Sequence, residues 1–271
     1  MADRPVFFIS DAHLGSSARA SDDEPRLERL IPFLRSVIDR KAERLYIVGD
    51  LFDFWFEYRH VMPWRHFRIL AALREVTAHG IPVHFLGGNH DWWAGDAFRE
   101  VAGLTVHHDA ISVDHQGLRL RLHHGDGLAS GTDSGYLFLK AVLRNRWTIR
   151  LLRLVHPDLA YAFGYRLSRF SRTHLTSNEF HVSGPLGAAV DAELANHDAF
   201  LMGHLHARYR ERRPGGELFI LGDWMTIFSA LRLEDGGFTW EDWSTRERRD
   251  VPIDAPTAFG GHGDEPVPAG P

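Results

Sequence analysis

Cysteine is absent from the 271 residues. No disulfide framework and no thiolate metal site can therefore form, and the chain suits a reducing compartment. Long apolar runs are missing too: no stretch reaches the roughly 18 consecutive apolar residues that span a bilayer. Met1 to Pro5 leads straight into Val6-Phe7-Phe8-Ile9, without the basic and apolar regions of a signal peptide, which makes the cytoplasm the expected location. An excess of positive charge is also lacking. Lys and Arg number 31 against 36 Asp and Glu, a net charge of −5 with histidine neutral. Nucleic acid is not an expected partner, although a local basic face stays open.

What is present is the composition of an ordinary globular protein, 44% hydrophobic and 25% charged, long enough for one large α/β domain with an insertion. Val6–Ser10, Leu45–Val48 and Pro82–Leu86 are short apolar runs of strand type. Between them, Pro25–Lys41 and about Trp64–His79 carry apolar residues at helical spacing, the pattern of parallel βαβ units. After Asp96 the period shortens. Leu104–His107, Ala110–Asp114 and Leu118–His123, then Ala199–Met202, Tyr209–Arg213, Glu217–Leu221, Ile227–Leu233 and Phe238–Trp243, read as further strands. A sheet built from both halves, packed on a second sheet and flanked by helices, fits this order. Leu128 to Asn196 differs: it is helical by pattern, and from Lys140 to Arg172 the residues Lys140, Arg144, Arg146, Arg150, Arg153, Arg166, Arg169 and Arg172 alternate with aliphatic and aromatic residues against one acid, Asp158. The expected organisation is one domain over 1–248, a helical cap inserted at about 128–196, and a Pro- and Gly-rich tail over 249–271 that is disordered.

Five polar stations follow or end the apolar runs: Asp11-Ala12-His13, Gly49-Asp50-Leu51-Phe52-Asp53, Gly88-Asn89-His90-Asp91, His124-Gly125-Asp126 and Gly203-His204-Leu205-His206. One such residue after a strand is ordinary turn material. Five in order, at the strand ends where α/β sheets bind ligands, point to one shared site. They offer oxygen and imidazole donors and no sulfur, which suits Mn, Fe, Zn or Co. Asp11, His13, Asp50 and His206 are the expected donors to one ion; Asp50, Asn89, His124 and His204 are those to a second. Two divalent ions side by side activate a water for in-line attack on phosphorus. His90 is placed to contact phosphoryl oxygens or protonate the leaving group, Asp91 to fix its ring, and Asp53 and Asp126 to support the ligands. His123 alternates with His124 and faces the other way.

As an ordered set, Asp-x-His, Gly-Asp-x-x-Asp, Gly-Asn-His-Asp, His-Gly-Asp and Gly-His-x-His, spread from about Phe7 to Trp224, resemble the calcineurin-like metallophosphoesterase superfamily. That resemblance implies an α/β fold, a four-layer α/β/β/α sandwich, with a dinuclear centre and His90 at the position of the motif's catalytic histidine. Phe8–Gly15, Gly49–Trp55, His124-Gly125-Asp126 followed by Asp133 and Tyr136, and Leu221-Gly222-Asp223-Trp224 are similar to the UDP-2,3-diacylglucosamine diphosphatases of lipid A synthesis. The implied reaction splits that nucleotide-diphospho-glycolipid into UMP and 2,3-diacylglucosamine 1-phosphate with Mn, under a cap that receives the acyl chains. The chain departs from that branch in carrying His90 in place of Arg. It departs again in having Arg166, Arg169, Arg172, Thr173, His174, Thr176, Ser177 and Asn178 where a lysine-containing nucleotide-binding stretch is expected. Asp133, Tyr136, Arg166, Arg169 and Arg172 are the expected substrate contacts.

Two other functions use the same residues. One is a phosphoesterase acting on a cyclic nucleotide, nucleic acid or phosphoprotein, but a small water-soluble substrate gives no reason for an aliphatic cap. The other is a non-catalytic scaffold, which would be expected to have lost ligands that are intact here. The cap itself admits three readings: a packing layer with a solvated face, a holder of diphosphate and acyl chains, or a platform on an anionic inner-membrane surface. No obligate protein partner is expected.

Overall fold

The computed structural model describes residues 3–17, 19–128, 140–173 and 182–259. The early apolar runs form β1 (Val6–Ile9), β2 (Arg44–Val48), β3 (Val83–Leu86) and β4 (Thr105–His107), each parallel to the next. Helices α1 (Glu24–Asp39) and α2 (Phe67–Ala78) supply the crossovers. α1 opens with Pro25 in its first turn, where a missing N–H costs nothing, and buries Leu27, Leu30, Phe33, Leu34 and Val37 on one face. A second sheet begins with β5 (Ile111–His115) and β6 (Leu118–His123) and continues with β7 (Ala199–Met202), β8 (Ala207–Arg213) and β9 (Gly216–Leu221). The chain then returns to the first sheet as β10 (Ser229–Glu234), which pairs antiparallel with β1, and β11 (Gly237–Asp242).

Alternation along β1 explains the layering. Phe7 and Ile9 pack under α1 and α2, whereas Val6 and Phe8 point into the space between the sheets beside Tyr46, Leu120, Leu201 and Phe219. The expected sheet-on-sheet sandwich with flanking helices is what forms. No helix among the described residues is long and apolar enough to cross a membrane.

Two boundaries differ from expectation. The described cap consists of α3 (Arg146–Leu152) and α4 (Pro157–Thr173), but α5 (Gly184–Leu194) is not part of it. Leu186, Val190 and Leu194 lie on Phe200, Met202, Leu218 and Ile220, so α5 is the outer layer of the second sheet. Its helical pattern alone could not say which apolar surface it would cover. The disordered tail expected from residue 249 is also corrected. Arg249–Val251 is strand β12, paired with β11, and Ala258–Phe259 is β13, paired with β8. Open sheet edges present unpaired N–H and C=O groups, and these hold a segment whose side chains give no strand signal. Residues 260–271 lie outside the described set.

His66, at the turn into α2, is buried with its ring 4.3 Å from that of Phe52 and 5.9 Å from that of Trp55. Burial, helped by Arg65, pushes its pKa down to about 3. The folded chain thus refuses a proton that the unfolded chain accepts below about 6.5. Its contribution to stability is whole above pH 6.5 and falls as pH drops toward 3. Between pH 7 and pH 5, urea unfolding of the parent protein is expected to lose about 2 kcal/mol more than that of His66→Leu. Equal losses in both would show that the ring is not held neutral.

Candidate metal centre

β1, β2 and β3 of the first sheet and β6 and β7 of the second run out at a common edge, and the five stations are their exits. The backbone turns left-handed there. Asp11, His13, Asp50, His204 and His206 have φ of 55°, 42°, 51°, 70° and 48°. A side chain in that region costs of order 1–3 kcal/mol and persists only when its surroundings impose it. Cross-station hydrogen bonds do so: Asp11 N–H donates to Gly49 O at 3.1 Å, His13 N–H to Asp50 O at 3.0 Å and Trp224 N–H to Asp11 O at 3.0 Å. His204 N–H donates to Asp11 Oδ2 at 2.9 Å.

The side chains converge. Nε2 of His13 lies 3.6 Å from Asp11 Oδ1, 3.6 Å from Asp50 Oδ2 and 3.2 Å from His206 Nε2; His206 Nε2 is 3.5 Å from Asp11 Oδ1. On the other side of Asp50, His124 Nε2 is 3.2 Å from Asp50 Oδ2 and 3.1 Å from Asn89 Oδ1. Asp11, His13 and His206 form one group of donors within 4.8 Å of one another, and Asp50, His124 and His204 form another. Asp50 also groups with His13 and His90, which makes it the residue common to both sides. Donors about 3.0–3.6 Å apart are the spacing expected around an ion bound at roughly 2.0–2.2 Å.

The residues fit divalent cations on three grounds. Asp11 Oδ1 is buried and accepts no hydrogen bond among the described residues. Two imidazoles turn their outer nitrogens away from the centre: Nδ1 of His124 is 2.9 Å from Val48 O and Nδ1 of His90 is 2.8 Å from Asp53 O. An outer N–H held by an oxygen leaves Nε2 with a lone pair facing inward, as metal-ligating histidines do. Charge is the third ground. Burial disfavours a proton on His13, yet Asp11, Asp53 and Asp50 carry its pKa up to about 10. Burial also opposes the His124 imidazolium, which Asp50, Asp11 and Asp126 nevertheless hold well above its usual value. Burial works against the charges of Asp11 and Asp50, but the same histidines keep both far below the ordinary carboxylate range. The pocket pulls positive charge inward, and divalent ions held by these residues would answer that pull.

Other expected residues behave differently. Asp91 does not fix the His90 ring. Its carboxylate accepts the backbone N–H groups of Asp50, Phe52 and Gly88 at 3.2, 3.1 and 2.9 Å, bracing the second station, and the ring is held by Asp53 instead. The cause is the sharp turn after β3, which points Asp91 back at the β2 exit. Burial and Asp50 raise its pKa to about 7. Asp126 faces Lys140 and Arg144. His123 turns away from the centre, its Nδ1 accepting the Gly125 N–H at 2.7 Å. Arg166 is exposed on α4; Asp133 and Tyr136, and the side chains of Arg169 and Arg172, lie outside the described set. Asp223 has a role that its sequence context did not reveal. It caps a turn by accepting N–H from Met225, Thr226 and Ile227, and its Oδ2 stands 3.9 Å from His206 Nδ1. Its position after an apolar strand, like the other stations, and its place in Leu221-Gly222-Asp223-Trp224 were the signals available.

Two glycines are required by close approach. A Cβ on Gly49, which has φ +87°, would sit 2.3 Å from His124 Nδ1, and one on Gly88 would sit 2.0 Å from Asp50 Oδ1. Gly88→Ala is expected to weaken Mn²⁺ binding about 10- to 100-fold by displacing Asp50. Gly80→Ala, at a positive φ with open space around it, carries backbone strain alone and should bind Mn²⁺ as the parent does. Calorimetric titration of both variants checks this, and unchanged binding by Gly88→Ala would remove Asp50 from the ligand set.

Residues 4–208 match the model of the calcineurin-like phosphoesterase family. The chain is 32% identical over 249 residues to a UDP-2,3-diacylglucosamine hydrolase of Porphyromonas gingivalis, covering 85% of this chain and 94% of that protein. It is 32% identical to the protein of that name in Ralstonia nicotianae, covering 88% and 92%. The corresponding protein of Nitrosococcus oceani is 31% identical, covering 90% and 97%. With the family model spanning more than half of the chain, and these relatives covered almost end to end, the protein belongs to the calcineurin-like phosphoesterase family and is a hydrolase of the metal-dependent phosphoesterase class.

Proposed function

We propose that this enzyme hydrolyses the diphosphate of UDP-2,3-diacylglucosamine, giving UMP and 2,3-diacylglucosamine 1-phosphate. The observation that carries the reading is the cap, because the similarity to relatives of that name continues through it and its surface suits a lipid. It is docked on the loops of the second and third stations. Tyr161 OH donates to Phe56 O at 3.2 Å, the Phe54 and Tyr161 rings are 5.2 Å apart, and Trp93 Nε1–H donates to Leu143 O at 3.0 Å. Outward it presents Trp147, Leu151, Leu154, Leu159 and Phe163, each at least 60% exposed, among Arg146, Arg150 and Arg153. Apolar side chains so exposed mark a binding surface rather than a core.

In this reading Asp11, His13, Asp50 and His206 would hold one divalent ion, and Asp50, Asn89, His124 and His204 would hold the other. Two such ions, Mn by preference, would supply positive charge for the phosphoryl oxygens and lower the pKa of a water. Asp50 is shared, and Asp91 keeps its backbone in place. His90, held at Nδ1 by Asp53, turns Nε2 toward the phosphoryl group and the leaving oxygen. Water oxygen bonds to the α-phosphorus as the bond from that phosphorus to the bridging oxygen breaks. Arg166, Arg169, Arg172, Asp133 and Tyr136 remain the proposed substrate contacts.

Mn-loaded protein given UDP-2,3-diacylglucosamine should yield UMP and the lipid 1-phosphate by mass spectrometry. His124→Ala should lose at least about 100-fold in rate, and chelation should abolish turnover. Cleavage of a generic aryl phosphodiester without turnover of the lipid would keep the centre and discard this substrate. The same cap is proposed to rest on the cytoplasmic face of an anionic inner membrane. Sedimentation with phosphatidylglycerol vesicles should fall in Leu151→Glu and Leu154→Glu and in high salt; cap variants that sediment as the parent does would confine the apolar surface to substrate.

A further inference from the structure

Helix α4 of the cap carries a glycine in its middle, Gly164, where alanine would favour the helix. The space that a Cβ would fill is already taken. Built there, it would lie 2.6 Å from each of three ring carbons of Phe54, Cδ1, Cδ2 and Cε1. That is far inside the roughly 3.5–4.0 Å at which carbon atoms rest, so the Phe54 ring lays its face on bare helix backbone. Its flanks are occupied too, with the Tyr161 ring edge-on at 5.2 Å and the Trp93 ring at 5.9 Å. The helix is held down on it by Tyr161 OH, which donates to Phe56 O at 3.2 Å, and by Tyr58 OH, which donates to Val155 O at 3.1 Å.

Both neighbours of Phe54 in the chain hold His90. Asp53 O accepts from His90 Nδ1 at 2.8 Å, and Trp55 N–H donates to His90 O at 3.1 Å. Trp55 is anchored, buried with its ring 4.9 Å from that of Phe52 and 4.8 Å from that of Phe98. Residues 53–55 therefore form a clamp: its ends grip His90, and its middle side chain bears the cap. With Trp55 fixed, a push on the Phe54 ring is relieved by turning the peptide between Asp53 and Phe54. That peptide carries the carbonyl on the His90 ring. The other relief, lifting α4, works against the two tyrosine hydrogen bonds.

We propose that Gly164 and Phe54 are positioning residues for His90: the seat of the cap on the Phe54 ring sets the Asp53 carbonyl, and through it the His90 imidazole. The inference takes from the reading above only the place of His90 beside the phosphoryl group, and it holds for any ester cleaved there. A glycine is needed at residue 164 because any side chain would move the clamp. The cap then does more than cover the centre, since how it is seated decides how His90 is aimed.

A double-mutant cycle on the Mn-loaded protein with bis-p-nitrophenyl phosphate tests this. Gly164→Ala is expected to lower kcat about tenfold with KM near that of the parent, because displacing an aligned group by a fraction of an ångström costs that much. In a His90→Ala background the same change should cost less than about twofold, since the group through which it acts is gone. Phe54→Leu, which withdraws the ring face, should restore most of the rate to Gly164→Ala. Independently of turnover, the His90 ring resonance in Zn-loaded protein, identified by its loss in His90→Ala, should move in Gly164→Ala and return when Phe54→Leu is added. An unchanged kcat, a loss that repeats in full in the His90→Ala background, or a resonance that stays in place overturns the coupling; where turnover is too slow to compare, the resonance decides alone. Thermal melts check folding, and if Gly164→Ala does not fold, Phe54→Leu alone, which leaves the seat underfilled, must still move the resonance. Coupling found with the aryl ester in a protein that does not turn over UDP-2,3-diacylglucosamine would uphold the positioning role and discard only that substrate.

Discussion

Asp11 and Asp50 are carboxylates buried at the rim of two sheets, and among the described residues neither is paired with lysine or arginine. Taking such charges out of water costs several kcal/mol each unless positive charge is brought to them. Much of the local architecture follows from that constraint. The histidines that surround the carboxylates are drawn toward protonation, Ser10 Oγ and the His204 N–H are spent on Asp11, and the His90 N–H is spent on Asp50. Residues further out, Asp53 and Asp91, serve the ring nitrogens and the backbone instead of entering the centre. The left-handed turns at five donor residues are the conformational cost of aiming so many short side chains at one space from the ends of strands.

The residues that converge at this edge were readable from sequence because each is local to a strand end. A pair such as Asp11 and His13 needs only the apolar run before it to be placed, and period-two alternation separates His124 from His123 without a structure. What was not readable depended on contacts between segments far apart. Asp91 looks like a partner for the neighbouring His90, but the turn after β3 delivers it to backbone amides of residues 50 and 52. The helix over Gly184–Leu194 continues the helical pattern of the cap but takes the position of a sandwich layer, because only the assembled second sheet offers the surface it covers. Arg249–Val251 and Ala258–Phe259 become strands through ladder bonds to existing edges, which no property of their side chains encodes. The left-handed conformations have no sequence signal for a related reason: at Asp and His they depend on distant backbone groups that impose them.

The His-Gly-Asp station links chemistry to the cap. His124 faces the donors, while two residues later Asp126 grips Lys140 and Arg144 where the described cap begins. A displacement of that end of the cap therefore bears on the same short loop that positions His124. From the opposite side, Tyr58 OH donates to Val155 O at 3.1 Å, tying the cap to the loop after Asp53. The cap is thus anchored to two donor-bearing loops, each carrying a residue that faces the centre. Such anchoring makes its seating an electrostatic as well as a steric matter.

The donors come from both sheets, with Asp11, Asp50 and Asn89 on exits of the first and His124, His204 and His206 on exits of the second. Nothing covalent sets the distance between these two groups. It is set by side chains packed between the sheets, and the apolar residues nearest the exits are Val48, Leu86, Leu122 and Leu201, all buried in that layer. Facing sheets stand about 10 Å apart as a consequence of side-chain size, and close-packed interiors respond even to the loss of one methylene. A donor separation near 3 Å across such a gap is therefore a product of core volume. This gives the inter-sheet core a geometric function beyond stability: the packing around Val48 and Leu122 lies directly behind the exits that carry Asp50 and His124. The arrangement favours rigid β-branched and leucine side chains at the rim of the core, where hydrophobic burial and metal geometry are decided by the same atoms.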